Sequence, residues 1–183
     1  MSTKLSIDGH TVQRLYTVTE PQVRGLAELL VDCVDGGASV SFMHPLPLAK
    51  ALDFWRRVAD RAARSETALL VAEDVDGIVG TVQLILDQPE NQPHRADLSK
   101  MLVHRRARRR GWGEALLRAA ENVARDCGKS LLVLDTASSD AERLYAKLGW
   151  QRCGVIPGFA LLPRGGLCDT TYFYRTLHTS QPR

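Results

Sequence analysis

The sequence predicts an α+β fold in which helices pack on a mainly antiparallel sheet. Runs with helical spacing of apolar residues and short β-branched runs follow one another in the order βααβββαβαββ. Two of the β-branched runs flank Asp74-Val75-Asp76-Gly77, whose Asp-Gly step is typical of a tight antiparallel hairpin. With 183 residues, 44% of them hydrophobic and 25% charged, the chain has the size and composition of one globular domain. We therefore expect residues 1–183 to form a single domain.

The first third of the chain predicts one strand and two helices. Residues 11–16 alternate weakly between polar and apolar side chains, which predicts a strand. Thr19-Glu20-Pro21 is typical of a helix start, and Gly36-Gly37 ends the helical spacing that follows. A second helix is predicted over 48–64. The loop before it contains two prolines and the large apolar Phe42, which indicates the wall of a pocket.

The rest of the chain predicts six strands and two helices. Strands are expected over 68–73, 78–86, 96–103, 131–134, 151–156 and 170–175, and helices over 114–127 and 141–148. Polar side chains at Asp97, Ser99 and Lys100 interrupt the third of these strands and indicate a working surface. A loop over 157–166, which contains proline and glycines, separates the last two strands, and its residues 158–166 are expected to shape a substrate pocket.

Composition excludes several classes of protein. The four cysteines are dispersed without a C-x-x-C pair, so we expect neither a zinc cluster nor a redox motif, and no bound metal. No apolar run approaches the roughly 18 residues of a membrane span, and the N-terminus lacks a signal-like pattern, which favours a cytoplasmic protein. The net charge is only +3, with the basic excess concentrated over 104–110. This distribution predicts a local anion site rather than a general polyanion-binding surface.

One basic turn is the most informative motif of the chain. Arg108-Arg109-Arg110-Gly111-Trp112-Gly113 lies between an apolar run ending at Val103 and a helical pattern starting at Glu114. Glycines let the backbone approach a ligand, and the free N–H groups at a helix start attract anions. The segment therefore predicts a pyrophosphate cradle. The alternatives are a solvated basic turn or a nucleic-acid patch, although only Trp112 offers a stacking aromatic ring there.

Two linked motifs resemble the GNAT superfamily of N-acetyltransferases. The first is R-x-x-G-x-G at Arg108–Gly113, and the second is the short helix and turn Ala141-Glu142-Arg143-Leu144-Tyr145-Ala146-Lys147-Leu148-Gly149-Trp150. The resemblance implies the GNAT fold, with about seven strands and about four helices, and acetyl-CoA as co-substrate. It also implies a set of cofactor-binding residues, which are Met101, Leu102, Val103, Arg108, Arg109, Arg110, Gly111, Trp112 and Gly113.

Two further segments, 36–43 and 95–101, resemble tabtoxin-resistance-type acetyltransferases. That resemblance implies a small amino-bearing antibiotic or toxin as acceptor. It leaves open an aminoglycoside such as kasugamycin, which acidic residues would suit, and a tabtoxinine-like amino acid. The candidate substrate-binding residues are Asp35, Ser39, Phe42, Trp55, Asp97 and Asp135. Trp55 lies at helical spacing and could equally belong to the core.

The expected reaction is direct attack of the amine on acetyl-CoA in a ternary complex. Tyr145 is the candidate general acid, because a phenol stays protonated and can donate to the departing thiolate. Asp97 and Asp135 are candidates for positioning the substrate ammonium and taking its proton through a water molecule. The structural alternatives are a half-buried aromatic for Tyr145 and a turn or helix cap for Asp135.

Other functions stay open beside the leading one. A protein N-terminal or lysine acetyltransferase would use the same cofactor and an open groove. A nucleic-acid-binding module and a non-catalytic acyl-CoA sensor are further alternatives. We expect a small-molecule amine as partner, neither nucleic acid nor membrane, and a monomer or homodimer.

Overall fold

The computed structural model describes residues 2–7 and 9–177, so both ends of the predicted domain fall outside the described residues. Eight strands form one sheet in the order β1-β2-β3-β4-β5-β6-β8-β7. The strands are β1 (Ser2–Ile7), β2 (His10–Leu15), β3 (Thr67–Asp74), β4 (Gly77–Ile85), β5 (Arg95–Val103), β6 (Leu131–Thr136), β7 (Gln151–Leu161) and β8 (Leu167–Thr176). The helices are α1 (Glu20–Asp35), α2 (Leu48–Ala63), α3 (Trp112–Asp126) and α4 (Ser139–Lys147).

The predicted α+β class is confirmed, with one strand more than expected. The additional strand, β1, pairs antiparallel with β2 at the edge of the sheet. Leu5 and Ile7 pack against the core only partly, so this segment lacks the clear apolar period of a buried strand. All neighbouring strands pair antiparallel except β5 and β6, which are parallel.

The loop predicted over 157–166 is wrong in its extent. Strand β7 continues through Pro157 and Gly158 to Leu161, and β8 already begins at Leu167, so the turn covers only 162–166. Proline and glycine are tolerated here because β7 is an edge strand and its pairing with β8 is irregular between Ile156 and Ala160. The two strands therefore form a long hairpin that projects beside the site.

Helices cover both faces of the sheet and create two apolar clusters. Helices α1 and α2 form one cluster with β3, and α3 forms the other with β3, β4 and β6. A capping box between Thr19 and Gln22 fixes the start of α1, in the segment where a helix start is predicted. Among the described residues, no helix is both long and apolar enough to cross a membrane.

The sheet opens where β5 and β6 part. These parallel strands pair only over Arg95–Asp97 and Leu131–Val133, although β5 runs on to Val103 and β6 to Thr136. Strand β5 also contains a bulge, since its register with β4 shifts by one residue around Lys100. The separation of the two strands leaves a cavity of about 1270 Å³ through the middle of the sheet. This cavity is the site described next.

Candidate active site

The two parted strands form the walls of the cavity. Met101, Leu102 and Val103 line it from β5, and Leu134 and Asp135 line it from β6. A bulge takes one residue out of the regular ladder, so backbone groups of β5 become available to a ligand at this point. The structure therefore brings the three β5 residues among those predicted to bind the cofactor to one wall of the cavity.

Four of the six residues of the predicted cradle line the cavity. Arg108, Arg109, Gly111 and Gly113 line it. Arg109 and Gly111 have left-handed φ values of 60° and 85°, and α3 starts immediately afterwards. Consecutive N–H groups in such a turn, together with a helix N-terminus, form a binding site for anions.

Gly113 allows the first turn of α3 to approach the walls of the cavity closely. A Cβ atom at this position would lie 3.1 Å from Leu144 Cδ2 and 3.4 Å from Met101 Cε. A larger residue would therefore require the Leu144 side chain to shift by a few tenths of an ångström. The glycine of the motif is explained by this packing as well as by ligand access.

Arg110 and Trp112 are not among the residues that line the cavity. The Arg110 carbonyl accepts a hydrogen bond from His10 Nε2 at 2.8 Å, and the Trp112 ring packs edge-on against the His10 ring at 4.4 Å. Both residues thus attach the cradle to β2. The contacts expected of the cradle are those of its backbone N–H groups, so they stay a prediction for these two residues.

Two other arginines of the basic stretch form ion pairs with carboxylates elsewhere in the fold. Arg105 donates to Asp32 on α1 from its backbone N–H at 2.9 Å and from Nε at 2.8 Å. Arg106 makes a bidentate ion pair with Asp74 at the end of β3, at 2.5 and 3.0 Å. Their charges are therefore engaged with carboxylates of the sheet and of α1, and these ion pairs fix the segment that leads into the cradle.

Tyr145 lies in the inner wall of the cavity. Its side chain is only 3% exposed, and its ring packs on Trp150 and Phe173 with centroid distances of 5.8 and 5.6 Å. Among the described residues its hydroxyl has no hydrogen-bond partner, and the residue borders the cavity. Burial, reinforced by the charge of Asp135, raises the pKa of Tyr145 well above its usual value. The phenol therefore keeps its proton and is available to a bound group.

The two candidate carboxylates have different surroundings. Asp135 borders the cavity at the end of β6 and accepts a hydrogen bond from Thr170 Oγ1 at 2.7 Å. Asp97 lies on the same face of the sheet but outside the residues lining the cavity. Its carboxylate is occupied by an ion pair with Arg95 and by a hydrogen bond from Gln88 Nε2 at 3.2 Å. Asp135 is thus in contact with the cavity, whereas the Asp97 carboxylate is engaged by Arg95 and Gln88 outside it.

Some of the predicted substrate-binding residues line the cavity, and others lie outside it. Ser39 and Phe42 line the cavity from the loop between α1 and α2. Trp55 is wholly buried between α2 and the sheet and does not reach the cavity, because its position on the apolar face of α2 places it in the core. Asp35 also lies outside the lining, and its carboxylate is 3.6 Å from His44 Nε2.

A strap joins the two sides of the cavity. We use this name for the loop 36–47 together with the tip of the β7–β8 hairpin, 161–166, which are joined by hydrogen bonds. The His44 N–H donates to the Pro163 carbonyl at 2.8 Å, and Ser39 Oγ donates to the Leu161 carbonyl at 3.2 Å. Arg164 reaches His44 Nδ1 at 3.2 Å. We call the part of the cavity beside the strap, which is lined by residues 38–43 and by the hairpin, the covered compartment.

Side chains of the β7–β8 hairpin line the covered compartment. They are Phe159, Leu161, Cys168 and Thr170. Phe159 and Leu161 lie in the segment expected to shape the substrate pocket, whereas Cys168 and Thr170 were not predicted. The density of large apolar residues over 155–167 was a weak signal, since a solvated loop does not require it.

Comparisons with known proteins agree with this geometry. The model of the acetyltransferase (GNAT) family matches residues 39–150, more than half of the chain. Human N-acetyltransferase 8B is 32% identical over 142 residues, which cover 66% of this chain and 63% of that relative. The chain thus spans less than two thirds of that relative's length.

Two solved structures share the fold. One is a ribosomal-protein-alanine N-acetyltransferase from Brucella melitensis, with a TM-score of 0.74 and 22% identity over 91% of this chain and 99% of that one. The other is a phosphinothricin acetyltransferase from Sinorhizobium meliloti in complex with acetyl-CoA, with a TM-score of 0.74 and 17% identity over 100% and 93% of the two chains. With the family model, they lead to one conclusion: the chain belongs to the GNAT family of acetyltransferases.

Proposed function

We propose that the protein transfers an acetyl group from acetyl-CoA to a primary amine of a small antibiotic or toxin, and thereby inactivates it. The observation that carries this proposal is the strap, because its hydrogen bonds join the loop 36–47 to the β7–β8 hairpin beside the cavity. A covered compartment suits a compact acceptor. An extended peptide needs an open groove, which the hydrogen bonds between loop 36–47 and the hairpin turn obstruct.

The residues present fit acetyl-CoA. The N–H groups of the cradle at Arg109, Gly111 and the start of α3 suit its pyrophosphate. The parted strands provide a passage for the pantetheine, with Met101 and Val103 on the wall. When bound, acetyl-CoA supplies the activated thioester, and the chain's own residues provide the groups around it.

Asp135 and Tyr145 divide the proton chemistry of the transfer. Asp135 orients the substrate ammonium and takes its proton through water, which frees the nitrogen lone pair. As the amine attacks, an N–C bond forms and the C–S bond breaks, so that negative charge develops on the carbonyl oxygen and then on sulfur. A backbone N–H near Leu102 or Val103 would stabilise the oxygen. Tyr145 would donate its proton to the departing sulfur, and the second proton, which the nitrogen loses on acylation, would return to Tyr145 through water.

Direct transfer is favoured over a covalent acetyl-enzyme by the state of Cys33. This cysteine borders the cavity, and its Sγ donates to the Val103 carbonyl at 3.7 Å. Burial raises the pKa of Cys33 to about 11, so the thiolate needed for nucleophilic attack is scarce at neutral pH. This argues against an acetyl-enzyme on Cys33 and supports attack of the amine on the thioester itself, within a ternary complex.

The second candidate function is acetylation of a protein N-terminus or lysine. It is favoured by the Brucella melitensis structure, whose name gives a ribosomal-protein alanine as its target. A terminal residue could enter the covered compartment end first, whereas a lysine within a chain would have to pass the strap. The identity of 22% shows a shared fold and carries no acceptor over to this chain.

The test is release of free thiol from acetyl-CoA across a panel of acceptors, with mass spectrometry of each positive. The panel contains aminoglycosides, amino acids, polyamines and peptides with free N-termini. We expect a mass gain of one acetyl group on a small amine. Acetylation of peptides alone would replace our proposal with the second candidate.

A further inference from the structure

Lys100 occupies an unusual position in the covered compartment. It lies in the bulge of β5 with a left-handed φ of 49°, a conformation that a lysine rarely adopts. Its side chain borders the cavity. Strained backbone of this kind persists where the surrounding structure holds it and is concentrated at functional sites.

The ammonium of Lys100 lacks a close counterion. Nζ donates to Ser41 Oγ at 3.2 Å and lies 5.8 Å from the centre of the Phe54 ring. Within the part of the chain that the structure describes, no carboxylate is at ion-pairing distance from it, and Asp135 attracts it only from further away. Burial lowers the pKa of Lys100, which reflects the cost of holding this charge without a partner.

The other carboxylates around the cavity are already engaged. Asp140 pairs with Arg143, Glu114 pairs with Lys147 and Arg118, and Asp169 accepts from the Gly158 N–H at 2.9 Å. Asp135, whose partner is the neutral hydroxyl of Thr170, is the carboxylate that lies on β6 and attracts Lys100 across the cavity. One cation on β5 and one anion on β6 thus remain available to a ligand, on the two strands that part around the cavity.

The covered compartment also presents several large apolar side chains. Its large side chains are Phe42, Met43, Phe159, Leu161 and Leu162. Phe159 is 48% and Leu161 50% exposed, so the protein itself leaves much of their surface in contact with water. An apolar group of a bound acceptor would cover this surface and gain the corresponding hydrophobic free energy.

We propose that the acceptor is an α-amino acid with an apolar side chain, whose carboxylate binds Lys100 and whose amine is oriented by Asp135. This inference rests on the proposed acetylation of a small amine. It deepens that function by choosing between the two acceptor classes that the sequence left open. A polycationic aminoglycoside is disfavoured because it would place positive charge beside Lys100 and hydroxyl groups against Phe159 and Leu161.

The experiment compares matched acceptors on matched variants. The acceptors are L-phenylalanine and L-methionine, each beside its α-carboxamide, which lacks the negative charge. The variants are Lys100→Met, which removes the cation and keeps the length, and Ser41→Gly, which removes only the hydrogen-bond partner of Lys100. Glycine suits position 41 because its φ is 76°.

We expect Lys100→Met to lower kcat/KM for the amino acids by about 10- to 100-fold, as for loss of a charge-assisted hydrogen bond. The same variant should leave kcat/KM for the amides nearly unchanged. Ser41→Gly should leave the ratio of amino acid to amide as in the wild type. If Lys100→Met lowers kcat/KM equally for the amino acids and the amides, or if Ser41→Gly has the same effect as Lys100→Met, the role of Lys100 is to hold the loop 36–47 in place, and the inference fails.

Two further outcomes separate this inference from the function on which it rests. Acetylation of aminoglycosides with no amino-acid activity would overturn the inference and leave small-amine acetylation standing. If no small amine is turned over, the proposed function fails, and calorimetry tests the site by itself. The probe is N-acetyl-L-phenylalanine added to the protein with CoA. Binding that weakens about tenfold in Lys100→Met would support the carboxylate site, and no binding to the wild type would overturn it.

Discussion

At the scale of single residues, the site depends on polar groups that the protein itself leaves without partners. Tyr145 is buried among aromatic rings, yet its hydroxyl has no partner among the residues described. Its phenol is also kept protonated by burial. Asp97, in contrast, is satisfied by Arg95 and Gln88. Whether a polar residue is engaged separates the candidates for chemistry from those that stabilise the fold.

Tyr145→Phe tests the general acid. Phenylalanine keeps the packing on Trp150 and Phe173 and removes only the hydroxyl, so we expect kcat to fall about 100-fold while the Kd for acetyl-CoA stays unchanged. Steady-state kinetics and calorimetry measure the two quantities. Tyr174→Phe is the control, because that hydroxyl donates to Gln151 outside the cavity. Weaker acetyl-CoA binding with an unchanged kcat would show that Tyr145 has a structural role.

At the scale of elements, the cradle is held in place by helix α1. Asp32 accepts two hydrogen bonds from Arg105 and lies 3.5 Å from His104 Nδ1. Burial alone would raise the pKa of Asp32, but the hydrogen bonds from Arg105 and the nearby charges outweigh it. The pKa therefore lies below the usual 3.8. The interaction stabilises the fold while the carboxylate is ionised.

Asp32→Asn should lower the free energy of unfolding by about 2 kcal/mol at neutral pH, since hydrogen bonds to a charged group are lost. The pKa of Asp32 is lower in the folded protein than in the unfolded chain. The wild type therefore has the full stabilisation from Asp32 at pH values above the unfolded-state pKa, and it loses that stabilisation as the pH falls through the folded-state pKa. The difference between the two proteins should therefore shrink below about pH 4. Urea unfolding at several pH values measures it. Asp53→Asn, which removes only an exposed pair with Arg56, is the control, and an equal effect there would refute the assignment.

At the scale of the whole molecule, the cavity divides the sheet into two parts. Strands β1 to β5 lie on one side and β6 to β8 on the other, and only three residue pairs join β5 to β6. The strap bridges the two parts beside the cavity. A ligand that contacts both walls would therefore stabilise the whole fold as well as fill the site.

CoA should raise the melting temperature markedly. At a concentration of 100 times its Kd, binding adds about 2.7 kcal/mol, which for a chain of this size is a shift of roughly 5–10 °C. Differential scanning calorimetry measures it. Pantetheine, which lacks the phosphates, serves as the comparison ligand. Equal shifts at equal concentration would mean that the cradle contributes nothing to binding the pyrophosphate.

The sequence by itself determined the elements and the position of the cradle. Apolar spacing and turn residues are local properties, so they predicted the α+β class, seven of the eight strands and the turn before α3. The motif Arg108–Gly113 and the place of Tyr145 on a short helix could be recognised for the same reason.

Only the tertiary structure decided which side chains are engaged and which face the cavity. Arg105 meets Asp32 from 73 positions away, and Ser39 meets Leu161 from 122. Such distant pairs make Arg105 a tether, place Trp55 in the core and leave Lys100 without a close counterion. The physical reason is that backbone conformation follows neighbouring residues. The partner of a polar or apolar side chain depends instead on which distant elements the fold packs against it.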